Sequence, residues 1–182
     1  MTDHPIIEAL YRWRVRTGTV FILAVGVLAR PTALSLAAGG AVALAGLALR
    51  AWASGHLNKE KILAVSGPYR HSRNPLYLGN LIIGAGVAVT ARSWPVLALL
   101  TAYFGFFYPL IIAKERKRMR RLFMEKYDDF AKNVPLFFPG LRRAVRNGTR
   151  FDRRLYTINR EYRAAVATLI VWLVLAAKMI LL

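Results

Sequence analysis

Residues 66–79, with the sequence SGPYRHSRNPLYLG, combine turn residues, arginines and tyrosines directly before an apolar helical pattern. Gly67-Pro68 predicts a turn, and Asn74-Pro75 predicts the cap and first position of a helix. Free backbone N–H groups at such a helix start, together with Arg70 and Arg73, favour a bound carboxylate or phosphate. The alternative is an ordinary capped helix beside a basic turn, and this segment alone leaves both interpretations open.

A second segment, residues 115–139, adds a carboxylate to this chemistry. Glu115 stands between Lys114 and Arg116, and an exposed ion pair with either would contribute little to stability. In a recess, the same carboxylate could instead hold an ammonium group or ribose hydroxyls. Apolar and aromatic residues follow at helical spacing, and we interpret them as helix packing: Met119, Phe123, Tyr127, Phe130 and Val134.

Five apolar helices are predicted to position these segments in a membrane, which makes the fold class an all-α integral membrane protein. They comprise residues 7–29, 31–52, 76–91, 93–113 and 164–182. The third helix would span only about 24 Å, short of a hydrocarbon core of about 30 Å. The turn at Arg73 would therefore lie in a protein-lined recess, where irregular backbone is tolerated.

Short connections and small residues indicate how the helices pack. Arg30-Pro31 predicts a tight hairpin between the first two helices, and Pro109 predicts a kink in the fourth. Small residues at four-residue spacing in the second helix allow close backbone approach: Ser35, Gly39 and Ala43. Residues 140–163 are basic with interspersed aromatic residues, and we interpret them as a solvated linker resting on anionic lipid headgroups.

The distribution of charge predicts the orientation of the chain. It carries 27 Lys and Arg against 9 Asp and Glu, for a formal net charge of +18. All of the basic residues except Arg30, Arg92 and Lys178 lie on one side of the predicted helices. The positive-inside rule therefore predicts a plasma (bacterial inner) membrane protein whose N-terminus and large basic loops are cytoplasmic. This accounts for the charge without a nucleic-acid partner, which would need a recognition fold.

Composition excludes several kinds of chemistry. The chain has no cysteine, which rules out disulfides, thiolate zinc sites and a cysteine nucleophile. Its histidines, His4, His56 and His71, lack the spacing of paired metal ligands, so no metal site is predicted. No cleavable signal peptide is expected, because the first apolar run lacks a small-x-small cleavage site.

Taken together, the two segments resemble the isoprenylcysteine carboxyl methyltransferase family and its bacterial relatives, which are similar to phospholipid methyltransferases. The resemblance covers about residues 50–140. The matching positions are Gly67-Pro68-Tyr69, Arg73-Asn74-Pro75 and Tyr77 in the first segment, and Glu115-Arg116, Phe123-Met124, Tyr127 with Phe130, and Val134-Pro135 in the second.

The resemblance implies S-adenosylmethionine as the methyl donor, bound in a pocket on the cytoplasmic side. It implies a lipophilic or membrane-resident acceptor, which could be a carboxylate, an amine or a thiol. Arg73 is the candidate catalytic residue, orienting the acceptor or the donor carboxylate, and His56 and His71 are candidates for a base. The implied cofactor-binding residues are Lys61, Ile62, Leu63, Ala64, Tyr69, Asn74, Pro75, Leu76, Tyr77 and Glu115.

Three positions depart from the family pattern. Asn74 stands where the family has histidine, and asparagine can form hydrogen bonds but cannot carry a charge. Arg116 replaces a second glutamate. Ile111 replaces the arginine that helps to hold the substrate carboxylate in the prenylcysteine enzymes, which argues against a prenylcysteine carboxylate as the acceptor.

Two alternatives remain open at this stage. Membrane reductases that use NADPH resemble the family in their C-terminal helices, and a small scaffold could use the basic loops to bind lipid without any cofactor. The predicted organisation is an N-terminal transmembrane hairpin over residues 1–53, a methyltransferase core over 54–140, and a basic linker with a last transmembrane helix over 141–182. That last helix lies outside the recognised unit and could support a homodimer.

Overall fold

A computed structural model of the chain describes residues 17–18, 20–59, 61–140 and 150–181. The described residues form helices and loops without a β-strand among them, which confirms the predicted all-α class. The predicted start of the first helix, with Arg12, Arg14 and Arg16, lies outside these residues. The helices are α1 (described over residues 20–28), α2 (Ala33–Ser54), α3 (Pro75–Ala91), α4 (Trp94–Asn133), α5 (Arg153–Ile158) and α6 (Tyr162–Leu181), with a short 3₁₀ helix at Gly67–Arg70.

Three of the described helices, α2, α4 and α6, are long and apolar enough to cross a membrane, and α3 is apolar but has only 17 residues. Large apolar side chains are exposed on α2 and α6, among them Leu34, Leu44, Leu169 and Ile180. Such a surface is unfavourable in water. The chain is therefore a membrane protein.

Helix α2 begins with a capping box, in which the Thr32 hydroxyl accepts from the Ser35 N–H and the Ser35 hydroxyl accepts from the Thr32 N–H. The stripe of small residues that follows is buried. It packs on α3, because a Cβ atom added at Gly86 would lie 2.6 Å from the Gly39 carbonyl oxygen. The close backbone approach expected from these small residues is thus between α2 and α3. Helix α2 is joined to α1 by a short connection, which is a separate feature.

Helix α4 continues from the apolar segment into the basic one, as the unbroken sequence pattern predicted. Pro109 lies inside the helix, but the departure from helical dihedral angles falls at Met124, where φ is 43° and ψ is −121°. Beyond Met124, Tyr127, Phe130 and Val134 form a buried cluster against Leu63 and Val65. The end of α4 therefore packs on the loop that precedes the 3₁₀ helix.

The C-terminal part of helix α6 packs in a second apolar cluster, separate from the one at Tyr127. Leu175 belongs to a core of apolar residues from several helices: Val25, Ala29, Val87, Ala91, Val96 and Leu100. The Trp172 indole donates to the Leu36 carbonyl oxygen at 3.2 Å. Lys178 donates to the carbonyl oxygens of Gly26 and Val27, at 2.8 and 2.6 Å, where the last carbonyls of α1 lack helical partners.

Residues 150–161, here called the C-terminal strap, differ from the predicted solvated linker. The strap contains α5, and the Asp152 N–H donates to the Gly55 carbonyl oxygen at 2.9 Å. The Asn159 side chain donates to the carbonyl oxygens of Ser54 and Leu57. Basic side chains of the strap remain exposed, but its backbone is fixed to the C-terminal end of α2 because that end supplies unpaired carbonyls.

Candidate functional site

The two segments singled out in the sequence are joined by hydrogen bonds. The Ser72 hydroxyl donates to the Phe137 carbonyl oxygen at 2.6 Å, and the Arg73 N–H donates to the Pro135 carbonyl oxygen at 3.0 Å. The Asn74 side-chain amide donates to the Leu136 carbonyl oxygen at 2.8 Å. These bonds satisfy polar groups on both loops at once, so the start of α3 and the chain after α4 form one structural unit.

Asn74 occupies the N-cap position of α3, with Pro75 at the first helical position, as predicted. Its side chain does not cap the helix, however, because the amide is used on Leu136 instead. The sequence could not reveal this, since the competing acceptor lies 62 residues further along the chain. The first turn of α3 begins without a side-chain cap.

A cavity of about 570 Å³ lies between this unit and the charged part of α4. Its volume falls in the range of small-molecule sites. The predicted catalytic and cofactor-binding residues all line it, apart from Lys61, which is exposed and outside the lining. Arg70 also lies outside the lining. The predicted residues that it brings together are Ile62, Leu63, Ala64, Tyr69, Arg73, Asn74, Pro75, Leu76, Tyr77 and Glu115.

The apolar and aromatic residues that follow Glu115 in α4 pack against neighbouring residues and also line the cavity, whereas only helix packing was predicted. Tyr127 and Phe130 pack in the buried cluster and also line the cavity, as do Met119 and Phe123. Val134 packs in the cluster without lining the cavity. Helix packing alone was therefore too narrow an interpretation of this pattern.

Glu115 is partly buried in the cavity wall, and no ion pair joins it to another residue in the described part of the chain. Nearby, the Tyr69 phenol is buried. Burial raises the pKa of Tyr69 strongly, and the negative charges of Glu115 and Glu161 raise it further. The phenol is thus a neutral hydrogen-bonding group, and Glu115 retains its capacity to bind a cationic or hydroxyl partner.

Arg73 supplies positive charge on another wall. Its Nη1 lies 3.5 Å from the Tyr127 hydroxyl, at the limit of hydrogen bonding. Its Nε is buried and has no hydrogen-bond partner within the described ranges, and the same is true of Arg70. A buried donor without a partner is costly, so a carboxylate bound beside Arg73 would satisfy a donor that the chain itself leaves unpaired.

Several wall residues were missed by sequence reasoning, among them Arg50, Asn80 and Glu161. Arg50 was assigned only to the basic end of the second predicted helix, and Glu161 to a solvated linker. Glu161 is 7% exposed and pairs with Arg50. A signal was available, since Glu161 is one of only nine acidic residues and directly precedes an apolar helix.

Neither candidate base lines the cavity. The His56 ring is buried and lies 2.9 Å from the Ser66 hydroxyl. His71 lies 3.3 Å from the Gly140 carbonyl oxygen, on the loop that follows α4. His56 thus contacts a side chain and His71 a backbone carbonyl, both in loops. The two histidines lie outside the cavity lining.

A second cavity, of about 650 Å³, opens between α3, α4 and the loop at residues 136–138. Its lining is mostly apolar, with Phe104, Tyr108 and Phe138 among the contributors, and three basic residues border it: Arg116, Lys117 and Arg120. Arg116 lines both cavities. The two cavities therefore adjoin, one polar and one suited to an apolar chain with a charged end.

The described residues contain no group of three or more His, Cys, Asp or Glu side chains that could hold a metal ion. Carboxylates in the first cavity are instead placed beside cationic and aromatic side chains. The arrangement fits a zwitterionic organic ligand better than a bare cation, because such a ligand matches both signs of charge.

Comparisons with known proteins match this part of the chain. The family model described as phospholipid methyltransferase matches residues 35–126. That range includes α2, α3, most of α4 and the loop at residues 61–74, which together provide most of the cavity wall. No solved structure matches.

Two curated bacterial proteins are similar over 94 residues, each at 34% identity. One is named nickel-cobalt-cadmium resistance protein NccN, from Alcaligenes xylosoxydans xylosoxydans, and the other cobalt-zinc-cadmium resistance protein CzcN, from Cupriavidus metallidurans. The matched region is 50% of this chain and 44% and 43% of theirs. The chain therefore matches less than half the length of these relatives.

Proposed function

Because this chain belongs to the phospholipid methyltransferase family, we propose that it transfers a methyl group from S-adenosylmethionine to a lipophilic acceptor at the cytoplasmic membrane face. The observation that carries the proposal is the first cavity, which residues of both sequence segments line. It offers the carboxylate of Glu115, which has no ion-pair partner among the described residues, and the buried Nε of Arg73, which has no hydrogen-bond partner among them. These two groups complement the ammonium and the carboxylate of the donor.

The other wall residues suit the rest of the donor. Tyr69, Tyr77 and Tyr127 offer aromatic faces, which attract a sulfonium cation. Glu115 could alternatively hold ribose hydroxyls, in which case the ammonium would face other polar wall groups. When bound, S-adenosylmethionine supplies an activated methyl group, whose bond to sulfur breaks as the bond to the acceptor forms.

The second cavity is the proposed site of the acceptor. Its apolar lining suits an acyl or isoprenoid chain, and its basic border suits a negatively charged or polar end. Arg116 lines both cavities, and Tyr77 of the first contacts Tyr108 of the second. An acceptor entering from the bilayer would thus meet the donor through this shared wall.

The chain's contribution to the reaction is mainly alignment and exclusion of water. Arg73 would orient the carboxylate of the donor or the acceptor, and the buried aromatic cluster of α4 would close the cavity from the solvent. A base is needed only if the acceptor must lose a proton. Neither His56 nor His71 lines the cavity, so neither histidine is proposed as that base.

The proposed location is a bacterial inner membrane, with both large basic loops in the cytoplasm. Many of the described basic residues line the first cavity, whereas Arg30, Arg92 and Lys178 lie at the other ends of the helices. A cytoplasmic cavity would have access to S-adenosylmethionine, which is made in that compartment. The positive-inside rule supports the same orientation.

Thermal unfolding of the purified protein in detergent tests the proposal directly. Saturating S-adenosylmethionine and S-adenosylhomocysteine should each raise Tm, because a ligand that binds only the folded state stabilises it. NADPH serves as the control. Stabilisation by NADPH alone would favour a reductase, and stabilisation by none of the three would favour a lipid-binding scaffold.

A further inference from the structure

Arg50 connects three parts of the molecule at the edge of the first cavity. Its Nε and Nη2 contact Oε1 of Glu161, both at 2.5 Å. Its Nη1 donates to the Asn80 side-chain oxygen at 2.6 Å and to the Leu76 carbonyl oxygen at 3.3 Å. One guanidinium therefore joins the C-terminal strap to the first turns of α3.

The path of this side chain depends on a glycine. A Cβ atom added at Gly79 would lie 2.5 Å from Cγ of Arg50 and 2.9 Å from the Gly46 carbonyl oxygen. Arg50 thus crosses α3 at Gly79, which has no side chain to block its path. Its stem is covered by α3, and its head emerges at the cavity wall beside Glu161.

The strap holds Glu161 at this position through several independent contacts. Asn159 bonds two carbonyl oxygens at the end of α2. The Phe151 ring lies over Gly55 and meets the His56 ring edge to face, with ring centroids 6.2 Å apart. These contacts leave the Glu161 carboxylate only 8% exposed.

The family match ends at residue 126, so the strap lies outside it. Even so, Asn159, Arg160, Glu161 and Arg163 line the cavity together with residues inside the match. We propose that Glu161 is a positioning residue for the donor site: it fixes Arg50, which holds the turn containing Leu76, and keeps the strap in place as one wall. This inference rests on the proposed function for the identity of the ligand.

The energetics of buried ion pairs support this role. Removing one partner leaves the other charge buried and uncompensated, which is far more costly than losing an exposed pair. Burial raises the pKa of the Glu161 carboxyl even though the Arg50 charge opposes this. The Glu161 carboxylate is therefore held in place where water solvates it poorly. Without that carboxylate, Arg50 would be free to break its hydrogen bonds to Leu76 and Asn80.

The test measures binding of S-adenosylhomocysteine to the full-length protein by calorimetry in detergent. Glu161→Gln should weaken binding about tenfold or more, as expected when a site loses its alignment. Glu125→Gln, at an exposed position of α4, is the matched control and should bind like the wild type. Equal affinity of Glu161→Gln and the wild type would overturn the inference. Failure of the wild type to bind would instead overturn the proposed function.

A double-mutant cycle tests whether Glu161 acts through Arg50. If Glu161 acts through Arg50, then Glu161→Gln with Arg50→Gln should bind no more weakly than the weaker single variant. Additive losses would show that the two residues act separately and would overturn the inference.

Trypsin digestion gives a readout that does not depend on affinity alone. In the wild type, S-adenosylhomocysteine should slow cleavage after Arg160, which lines the cavity. In Glu161→Gln, cleavage there should stay fast even at ligand concentrations that saturate binding. Full protection of the saturated variant would show that the strap is held without Glu161 and would contradict the proposal.

Discussion

The rings of Tyr77 and Tyr108 meet edge to face with their centroids 5.5 Å apart, and each lines a different cavity. Tyr77 belongs to the first turn of α3, and Tyr108 to α4. The pair therefore forms part of the partition between the polar cavity and the apolar one. Such ring pairs have a preferred geometry, so the partition is a defined wall.

Tyr108→Ala should separate the functions of the two cavities. Removing the ring enlarges the apolar cavity beside the partition, so methyl transfer from labelled donor to a lipid extract should fall. Affinity for S-adenosylhomocysteine should change less than about twofold, because Tyr108 does not line the first cavity. Phe106→Ala, at a side chain 57% exposed on the same helix, is the control. A large loss of donor affinity in Tyr108→Ala would contradict the assignment.

Asn74→Ala should destabilise the fold, because it removes the hydrogen bond to the Leu136 carbonyl oxygen. The expected loss is about 1–3 kcal/mol of unfolding free energy, typical of a buried polar group left without its partner. Asn74→Asp should be worse, since a carboxylate cannot donate to a carbonyl oxygen. Thermal unfolding without ligand measures both. Asn133→Ala, which loses only an exposed bond to Asp129, should leave Tm nearly unchanged.

Glu115→Ala should weaken donor binding severely while the protein remains folded and inserted. Its carboxylate has no ion-pair partner among the described residues, so removing it breaks no ion pair among them. Affinity for S-adenosylhomocysteine should fall about tenfold or more, the scale of a lost charged hydrogen bond. Tm without ligand should match that of Glu125→Ala. Unchanged affinity would remove Glu115 from the site.

Gly86→Ala should weaken the contact between α2 and α3. The added Cβ would lie 2.6 Å from the Gly39 carbonyl oxygen and 2.9 Å from the Ala43 nitrogen, both backbone atoms that cannot rotate away. Overpacking of this kind costs about 1–3 kcal/mol. Gly105→Ala in α4 is the control, since its Cβ would meet nothing within 4 Å. Equal Tm values for the two variants would contradict the observed helix contact.

Single cysteines would test the proposed orientation, and the natural chain has no cysteine to remove first. A membrane-impermeant maleimide should label Arg92→Cys in intact spheroplasts, because the connection between α3 and α4 is predicted to face outward. Arg154→Cys, in the strap, should react only after permeabilisation. Both positions are exposed in the protein. The opposite labelling pattern would reverse the orientation.

Much of this architecture could be predicted from the sequence, because apolar runs and turn residues act locally. Pro75 predicted the start of α3, and the helical spacing of apolar residues after Glu115 predicted a helical segment there, which the structure shows as the second part of α4. The association of the two segments was also predictable from their combined motif. Hydrogen bonds from Ser72 and Asn74 to the loop after α4 now give it a physical basis.

What escaped prediction depends on contacts between distant residues. The small residues of α2 could have faced any neighbouring helix, and only the fold shows that Gly39 meets Gly86. The pairing of Arg50 with Glu161 spans 111 positions, so the sequence could set Glu161 apart as a rare acidic residue but could not identify its partner. The departure of α4 from helical dihedral angles at Met124 could not be predicted either, because no proline or glycine marks this position in the sequence.

Residues 159–164 follow every other wall residue of the first cavity in chain order. During synthesis, this wall therefore leaves the ribosome after the rest of the pocket. A nascent chain lacking it would leave Arg50 without its acidic partner. The pocket, and any stability that a ligand adds to it, thus cannot be complete until residues 159–164 have been made.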